Sequence, residues 1–411
     1  MTNFDLTTLF ASDTPPPAEK FTGLPQYNFI GGHNAPEAIP VPALVEAAKA
    51  VLERDGSLLS MYNLSHGPQG YKPLRKLVCD KLGRHRGIDC TEDDVLITSG
   101  STQGLELIFT LFVNPGDGVI VEEFTYASVL TKLGKLKADI IGAKLNDDGL
   151  DLDSLRQVLA DRKKAGRPVR MIYTIPTIQN PTGSIMPLEK RKQLIALARE
   201  FGCVIFEDEC YADLIWHDGT APDAIYALAP DVTVHIGSFS KTLAPAVRVA
   251  YAIAQWPVLS RLIAMKTDAG SGAIDQMVVA EYFTNHFDQH VKSLNQSLNR
   301  RLKILTEAVD AAFGTGVTYH APPGGIFLWV KFPDTVDVRK LVAPAAKHGI
   351  SFNPGPDWAA DGDAASSWMR LCFALPSEEV MRTGIAKLAD VCFAETGFPV
   401  RSANTVRVAA N

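Results

Sequence analysis

The 411-residue chain has six cysteines (Cys79, Cys90, Cys203, Cys210, Cys372 and Cys392), none in a C-x-x-C pair and none with a histidine at zinc-ligand spacing. That scatter excludes a disulfide-stapled scaffold and a zinc finger, and it fits a reduced, cytoplasmic compartment. Basic charge is also in short supply: 40 Lys and Arg stand against 46 Asp and Glu, a formal balance of −6, with no long basic run. Affinity for a phosphate backbone is largely electrostatic, so nucleic acid is not an expected partner. No basic stretch precedes an apolar one at the N-terminus, and the apolar run 107–113 (LIFTLFV) falls well short of the roughly 18 residues that span a bilayer. Neither a secretory signal nor a membrane partner is therefore expected. P-loop, G-x-S-x-G and H-E-x-x-H patterns are missing, as are internal repeats. Gly270-Ser271-Gly272 is the nearest approach to a dinucleotide fingerprint, but it lacks the third glycine and follows no clear strand, which sets aside a nicotinamide dehydrogenase.

With 46% hydrophobic and 21% charged residues, the composition is that of a globular protein long enough for two or three domains. Pro15, Pro16 and Pro17 make 1–28 an extended N-terminal arm. From about residue 65, β-branched runs alternate with helical patterns: VLIT (95–98), GVIVEE (118–123), ADIIGA (138–143), VRMIYTI (169–175), CVIFEDE (203–209), TVHIGS (233–238) and VAYAIA (249–254). Seven such strands predict an α/β fold with a doubly wound, mostly parallel sheet. Residues 188–201 have the pattern of an exposed scaffold helix. After about 285 a charged helical stretch (287–313) leads to the strands IFLWVKF (326–332) and WMRLCFA (368–374). A large domain at 65–286 and a smaller α+β domain from 29–64 and 287–411 follow.

The densest chemistry lies at Ser238-Phe239-Ser240-Lys241, with Arg248 seven residues beyond the lysine. A strand ends there, and the C-terminal ends of strands are where α/β sheets bind ligands. A desolvated lysine loses affinity for its proton and can form a Schiff base. Two hydroxyls and a guanidinium suit a phosphate dianion. A lysine that takes an aldehyde, beside a phosphate site, points to pyridoxal phosphate. Ser99-Gly100-Ser101-Thr102-Gln103-Gly104 supplies a second phosphate element, because Ser101 and Thr102 open a helix directly after strand VLIT. Asp208 ends strand CVIFEDE, where a carboxylate can hold a pyridinium nitrogen protonated; Glu207 and Glu209 compete for that place. Tyr211, three residues on, and Asn180, in the turn Asn180-Pro181-Thr182-Gly183, can reach the ring's 3-oxygen.

In order and spacing, SFSK-x6-R, NPTG, ED-x-x-Y and SGSTQG resemble the class I/II aminotransferases of pyridoxal phosphate fold type I, over about 29–374. The segments GYKPLR (70–75), NPGD (114–117), PTIQNPTG (176–183), SFSKTLAP (238–245), GGIFLW (324–329) and MRLCFA (369–374) are similar to the branch containing aminoadipate and kynurenine aminotransferases. The resemblance implies that Lys241 binds the cofactor and moves the substrate proton. It makes Ser101, Thr102, Ser238, Ser240 and Arg248 the phosphate cup, Tyr126 the stacking ring, Asn180 and Tyr211 the 3-oxygen partners, and Asp208 the pyridinium partner. Arg370 is implied as the clamp on the substrate carboxylate. It further implies a homodimer with shared sites, in which Tyr62 reaches the neighbouring subunit's phosphate, and transfer of an amino group to a 2-oxo acid such as 2-oxoglutarate. An aromatic or long-chain amino acid is the favoured donor.

Two segments depart from the family pattern. Gly31-Gly32-His33-Asn34-Ala35-Pro36-Glu37 replaces a GG-x-P motif and puts Gly32 and His33 near the expected substrate position, while 61–69 is lengthened and carries His66. Either histidine is a possible extra acid or base, which keeps racemisation, elimination, decarboxylation or oxidative deamination as alternatives on the same scaffold. A noncatalytic pyridoxal-phosphate-binding sensor is a remoter alternative, because about 28 residues ahead of the fold are too few for a DNA-binding module.

Overall fold

The computed structural model describes residues 4–12, 14–216 and 221–399. Its centre is a seven-stranded sheet, labelled here β1 (Val95–Ser99), β2 (Gly118–Glu122), β3 (Asp139–Ala143), β4 (Val169–Thr174), β5 (Val204–Asp208), β6 (Thr233–Ser238) and β7 (Val249–Ile253). The order across the sheet is β1-β7-β6-β5-β4-β2-β3. Only β7 runs antiparallel to its neighbours. All seven expected strands are present.

These strands are apolar on both faces, as a sheet covered on both sides requires. Val119, Val121, Met171, Tyr173 and Phe206 pack with helices Ser101–Phe112, Ala127–Lys135 and Trp256–Met265. Their alternates Ile120, Ile172 and Ile205 pack with helices Leu152–Lys164 and Leu188–Phe201. The latter helix has the expected limits. A third core joins Val95, Ile97, Val249 and Tyr251 to helices Val41–Asp55 and Lys72–Arg86 and to the start of helix Ala273–Phe313.

That 41-residue helix is longer than the expected 287–313, because no glycine or proline interrupts 273–313. Its first half, with Phe283 and Phe287, packs beside the large sheet. The second half, from Leu294 to Phe313, joins a separate core with Phe327, Leu328, Met369 and Leu371. That core carries a four-stranded antiparallel sheet ordered Thr318–Tyr319, Phe327–Lys331, Trp368–Cys372, Asn353–Pro354. Tyr27 and Phe29 belong to it, and Tyr27–Asn28 pairs in parallel with Ile350–Ser351. By contrast Ala47, Val51 and Leu64 sit in the core beside the large sheet. Upstream of Tyr27, Phe4, Leu6, Leu9, Phe10, Phe21 and Leu24 are exposed, and Leu6–Leu9 forms a short 3-10 helix. No described helix is long and apolar enough to cross a membrane.

Candidate active site

The C-terminal ends of β1, β5 and β6 open onto a cavity of about 370 Å³ that is also lined by Phe327 and Arg370 of the four-stranded sheet. Its walls bring together Gly32, His33, Ser101, Thr102, Tyr126, Asn180, Asp208, Tyr211, Ser240, Lys241, Arg248 and Arg370. Twelve sequence-selected residues, spread over more than 330 positions, thus meet in one place. Ser238 and Tyr62 do not line it. Ser238 is buried beneath the site and its Oγ accepts from the Ser240 N–H at 3.1 Å. Tyr62 is 84% exposed, outside the cavity of its own chain.

Lys241 follows directly on β6, and its Nζ donates to the Gly32 carbonyl. The approach is close: a Cβ on Gly32 would lie 3.0 Å from Nζ, so a larger residue there would shift the lysine's tip by a few tenths of an ångström. Asn34 Nδ2 donates to the Lys241 carbonyl at 2.7 Å, which ties the unusual 31–37 segment to the lysine's backbone. Burial, and then the nearby Arg370 and Arg248 guanidiniums, hold the lysine's pKa below its ordinary value. This favours a neutral, nucleophilic amine. His33 is held low as well, by burial and by Lys241.

At the end of β5 the side-chain alternation sets Asp208 apart from Glu207 and from Glu209 just beyond the strand. Glu209 pairs with Arg86 and Arg191, and it accepts from Thr177 Oγ1 at 2.7 Å. Glu207 accepts from the N–H groups of Ile225 and Tyr226 and contacts His235 Nδ1 at 2.9 Å. Glu207, Glu209 and His235 are the one metal-like grouping among the described residues, and two arginines already occupy its carboxylates. Asp208 alone of the three faces the cavity. It accepts from Tyr173 Oη at 2.7 Å and from the Cys210 N–H at 3.1 Å, and among the described residues it forms no ion pair. Burial raises its pKa, so a cationic group placed against it would restore its charge.

The anion end of the cavity is built on helix Ser101–Phe112. Its N-cap is Gly100, at φ +79°, and no side chain caps the first turn. Those amides and the dipole are available to an anion. Arg248, at φ +50°, donates to the Pro245 and Ser99 carbonyls at 3.2 Å and lies against Gly100. A Cβ on Gly100 would collide with that guanidinium. Gly100→Ala is therefore expected to displace Arg248 and weaken binding of a phosphate-bearing cofactor roughly 10- to 100-fold, as loss of a charge-assisted bond implies. Equilibrium dialysis of cofactor against wild type and variant checks this.

At the opposite end Arg370, in strand Trp368–Cys372, lies between two aromatic faces, with Cζ 3.6 Å from the Phe327 ring centroid and 3.3 Å from that of Trp358. Nη1 donates to Asn180 Oδ1 at 3.0 Å and Nη2 to Asn353 Oδ1 at 2.7 Å, while Nε has no partner. Asn180 Nδ2 in turn donates to Tyr211 Oη at 3.3 Å. The guanidinium is oriented by neutral groups only. Burial accordingly lowers its pKa, and the charge is left to be met by an incoming anion.

Residues 25–388 match the family described as aminotransferase class I and II. The chain belongs to that family. The aminotransferase is 31% identical to aromatic-amino-acid aminotransferase 1 of Thermococcus litoralis, over 88% of this chain and 87% of that protein. Among solved structures it is similar to the alpha-aminoadipate aminotransferase of Thermus thermophilus complexed with N-(5'-phosphopyridoxyl)-L-leucine, with 28% identity, TM-score 0.82, and 90% and 93% of the two chains covered. It is similar too to the multiple substrate aminotransferase of Thermococcus profundus, with 27% identity, TM-score 0.87, and 96% and 100% covered. The fold is that of the fold type I pyridoxal-phosphate enzymes, and pyridoxal phosphate is the cofactor. The cavity of the aminotransferase fits that group at three separated points: an uncapped helix end with Arg248, an unpaired Asp208 and a partly desolvated Lys241.

Several contributors escaped the sequence reading. Tyr173 was one hydroxyl in an apolar strand. Trp358 and Asn353 lie in a stretch without strand periodicity, and Phe327 in GGIFLW read as core. Glu122 is another: it ends β2 fully buried, accepting from Thr174 Oγ1 at 2.6 Å, from Gln179 Nε2 at 2.9 Å and from the Ile175 N–H. It thereby holds the segment that delivers Asn180. Burial, with a smaller push from Asp208, raises its pKa to about 7. The unfolded chain releases this proton near pH ~4.3, so the contribution is full below that pH and is lost as pH rises through about 7. The wild-type Tm relative to Glu122→Gln is expected to fall across that window in calorimetric scans.

His66 stacks on Tyr71, with centroids 5.3 Å apart, and contacts the Lys72 N–H through Nδ1 at 3.3 Å. It does not line the cavity. Of the two histidines considered as extra acids or bases, only His33 reaches it.

Proposed function

We propose that this aminotransferase takes its amino group from an aromatic or long-chain amino acid and passes it to a 2-oxo acid such as 2-oxoglutarate. One observation carries the reading: beyond Lys241, the substrate end of the cavity is walled by Ile30, Tyr126, Phe327 and Trp358 around a single buried guanidinium, Arg370. One cation receives the α-carboxylate that all amino acids share, and the apolar walls favour a side chain of matching character.

In this reading the ring of the bound cofactor supplies the electron sink for the bond broken at Cα. Arg370 fixes the carboxylate by paired hydrogen bonds and sets the Cα–H bond toward Lys241. The Lys241 amine takes that proton and returns it one step later as general base and acid. Asp208, oriented by Tyr173, would meet the ring nitrogen, and Asn180 and Tyr211 would meet the 3-oxygen. Tyr126 would hold the ring, and Ser101, Thr102, Ser238, Ser240 and Arg248 would hold the phosphate. Gly32 and His33 border the substrate.

A homodimer belongs to the same proposal. Val41, Val45, Leu52, Leu59 and Met61 leave an apolar strip exposed beside Tyr62, which is free to reach a partner's phosphate. The domain division, 65–286 against 29–64 with 287–411, is proposed with it; within 29–64, Phe29 packs in the smaller unit's core while Val51 packs beside the large sheet. Six free thiols accord with a cytoplasmic setting. Steady-state kcat/KM for phenylalanine, tyrosine, 2-aminoadipate, leucine, alanine and aspartate, with 2-oxoglutarate as acceptor, tests the donor class. Aromatic and long-chain donors are expected to exceed alanine and aspartate at least tenfold; the reverse order would overturn the assignment.

A further inference from the structure

Cys79 and Cys90 stand apart from the other four cysteines. Cys203, Cys210, Cys372 and Cys392 are buried singly, at 0–9% exposure, on different elements. Cys79 lies on helix Lys72–Arg86, and Cys90 follows the turn that ends it, where Gly87 at φ +67° sends the chain back along the helix. The reversal puts the two sulfurs 3.2 Å apart, Cys90 Sγ against Cys79 Sγ, both partly exposed at the rim of the core beside the large sheet. They need to close by only about 1 Å to reach a disulfide bond length.

We propose that Cys79 and Cys90 are a thiol pair that a small-molecule disulfide such as oxidised glutathione converts to an intrachain disulfide. Cys90, on the turn, attacks one glutathione sulfur as thiolate, having given its proton to solvent; the glutathione S–S bond breaks and one glutathione thiolate leaves. The Cys79 thiol then loses its proton and attacks Cys90 Sγ, which breaks the mixed disulfide and expels the second glutathione thiolate. Two protein thiols are oxidised to one disulfide, and one glutathione disulfide is reduced to two glutathione thiolates that take up the two protons. In the resting enzyme the hydrogen bond from Cys90 and burial hold the Cys79 proton tightly, and both thiols are free. Once Cys90 carries glutathione that hydrogen bond is gone and the second attack is intramolecular, between sulfurs that start 3.2 Å apart, so the mixed disulfide does not persist.

The closed loop is short, and its position gives it leverage. It joins the helix that ends in Arg86, the buried partner of Glu209, to the segment that enters β1 and leads to Gly100 and Ser101. Both ends of that span reach the cofactor side of the sheet, although neither cysteine lines the cavity. A bridge there restrains the unfolded chain while leaving the catalytic walls as they are.

Holoenzyme is incubated with oxidised glutathione, alkylated without reduction, and analysed by peptide mass mapping and calorimetry. A linked Cys79–Cys90 peptide 2 Da lighter than its reduced pair, a Tm raised by a few degrees and kcat within twofold of the untreated enzyme are expected. In Cys79→Ala, Cys90 should instead stop at the mixed disulfide with no rise in Tm, and Cys90→Ala should take up no glutathione at Cys79. Alkylation of both cysteines after treatment, or glutathione remaining on Cys90 in the wild type, would overturn the proposal.

Discussion

Replacing Lys241 with alanine is expected to lower turnover by about 10⁴-fold or more while the protein still folds and still holds pyridoxal phosphate, now noncovalently. The asymmetry follows from the geometry. Among the described residues Lys241 Nζ makes one hydrogen bond, to the Gly32 carbonyl, and otherwise lies over the Tyr211 ring at 5.9 Å from its centroid. The phosphate and ring contacts proposed for Ser101, Thr102, Ser240, Arg248 and Asp208 lie on other positions and survive its removal. Added methylamine should recover part of the lost rate, because the truncated side chain leaves room for a small amine at the same place. Stopped-flow and steady-state assays on the dialysed variant check both halves, and full activity in Lys241→Ala would sink the assignment of the lysine.

Replacing Arg370 with lysine is expected to cost roughly 10²- to 10³-fold in kcat/KM, with the loss appearing mainly as raised KM for every donor. Lysine keeps the charge but not the planar fork, and the fork is what this site is built around: two rings at 3.6 and 3.3 Å, one hydrogen bond to Asn180 and one to Asn353. An ammonium cannot satisfy both amides and also present paired donors to a carboxylate. Because the side chain is buried among neutral partners, the deficit should change little between low and moderate salt, unlike that of an exposed cation. Donor saturation curves at two ionic strengths measure it.

The fold was legible because its strands are short β-branched runs buried on both faces, a pattern that neither an exposed helix nor a loop produces. Lys241, Asp208 and Asn180 were legible for a different reason: each is a polar group at or just past the end of an apolar strand or in a turn with specific backbone demands. Arg370 was singled out through the family resemblance, as a charge in the middle of the apolar strand WMRLCFA. Where sequence reasoning fell short, the information was tertiary. Nothing local to Tyr173 or Glu122 marks the strand each will lie beside, yet one orients Asp208 and the other anchors the turn before Asn180. Trp358 acquires its place only when the loop before strand Trp368–Cys372 folds over Arg370. The helical stretch assigned to 287–313 began too late because polar composition, rather than a helix breaker, was taken as its start; no glycine or proline lies between Gly272 and that point. Ser238 and Tyr62 show where a single chain carries the least information about a role: the first meets the site through the Ser240 N–H, and the second is 84% exposed, outside its own cavity.

The most direct test of the central claim is a single turnover. Pyridoxal-phosphate-loaded enzyme is mixed with excess amino donor and no oxo acid, and the 2-oxo acid and ammonia formed are counted against active sites. One equivalent of oxo acid per site, no free ammonia, and a halt that 2-oxoglutarate relieves are the results expected of amino-group transfer in this cavity. Continuing release of ammonia or carbon dioxide, or racemised donor without oxo acid, would contradict it.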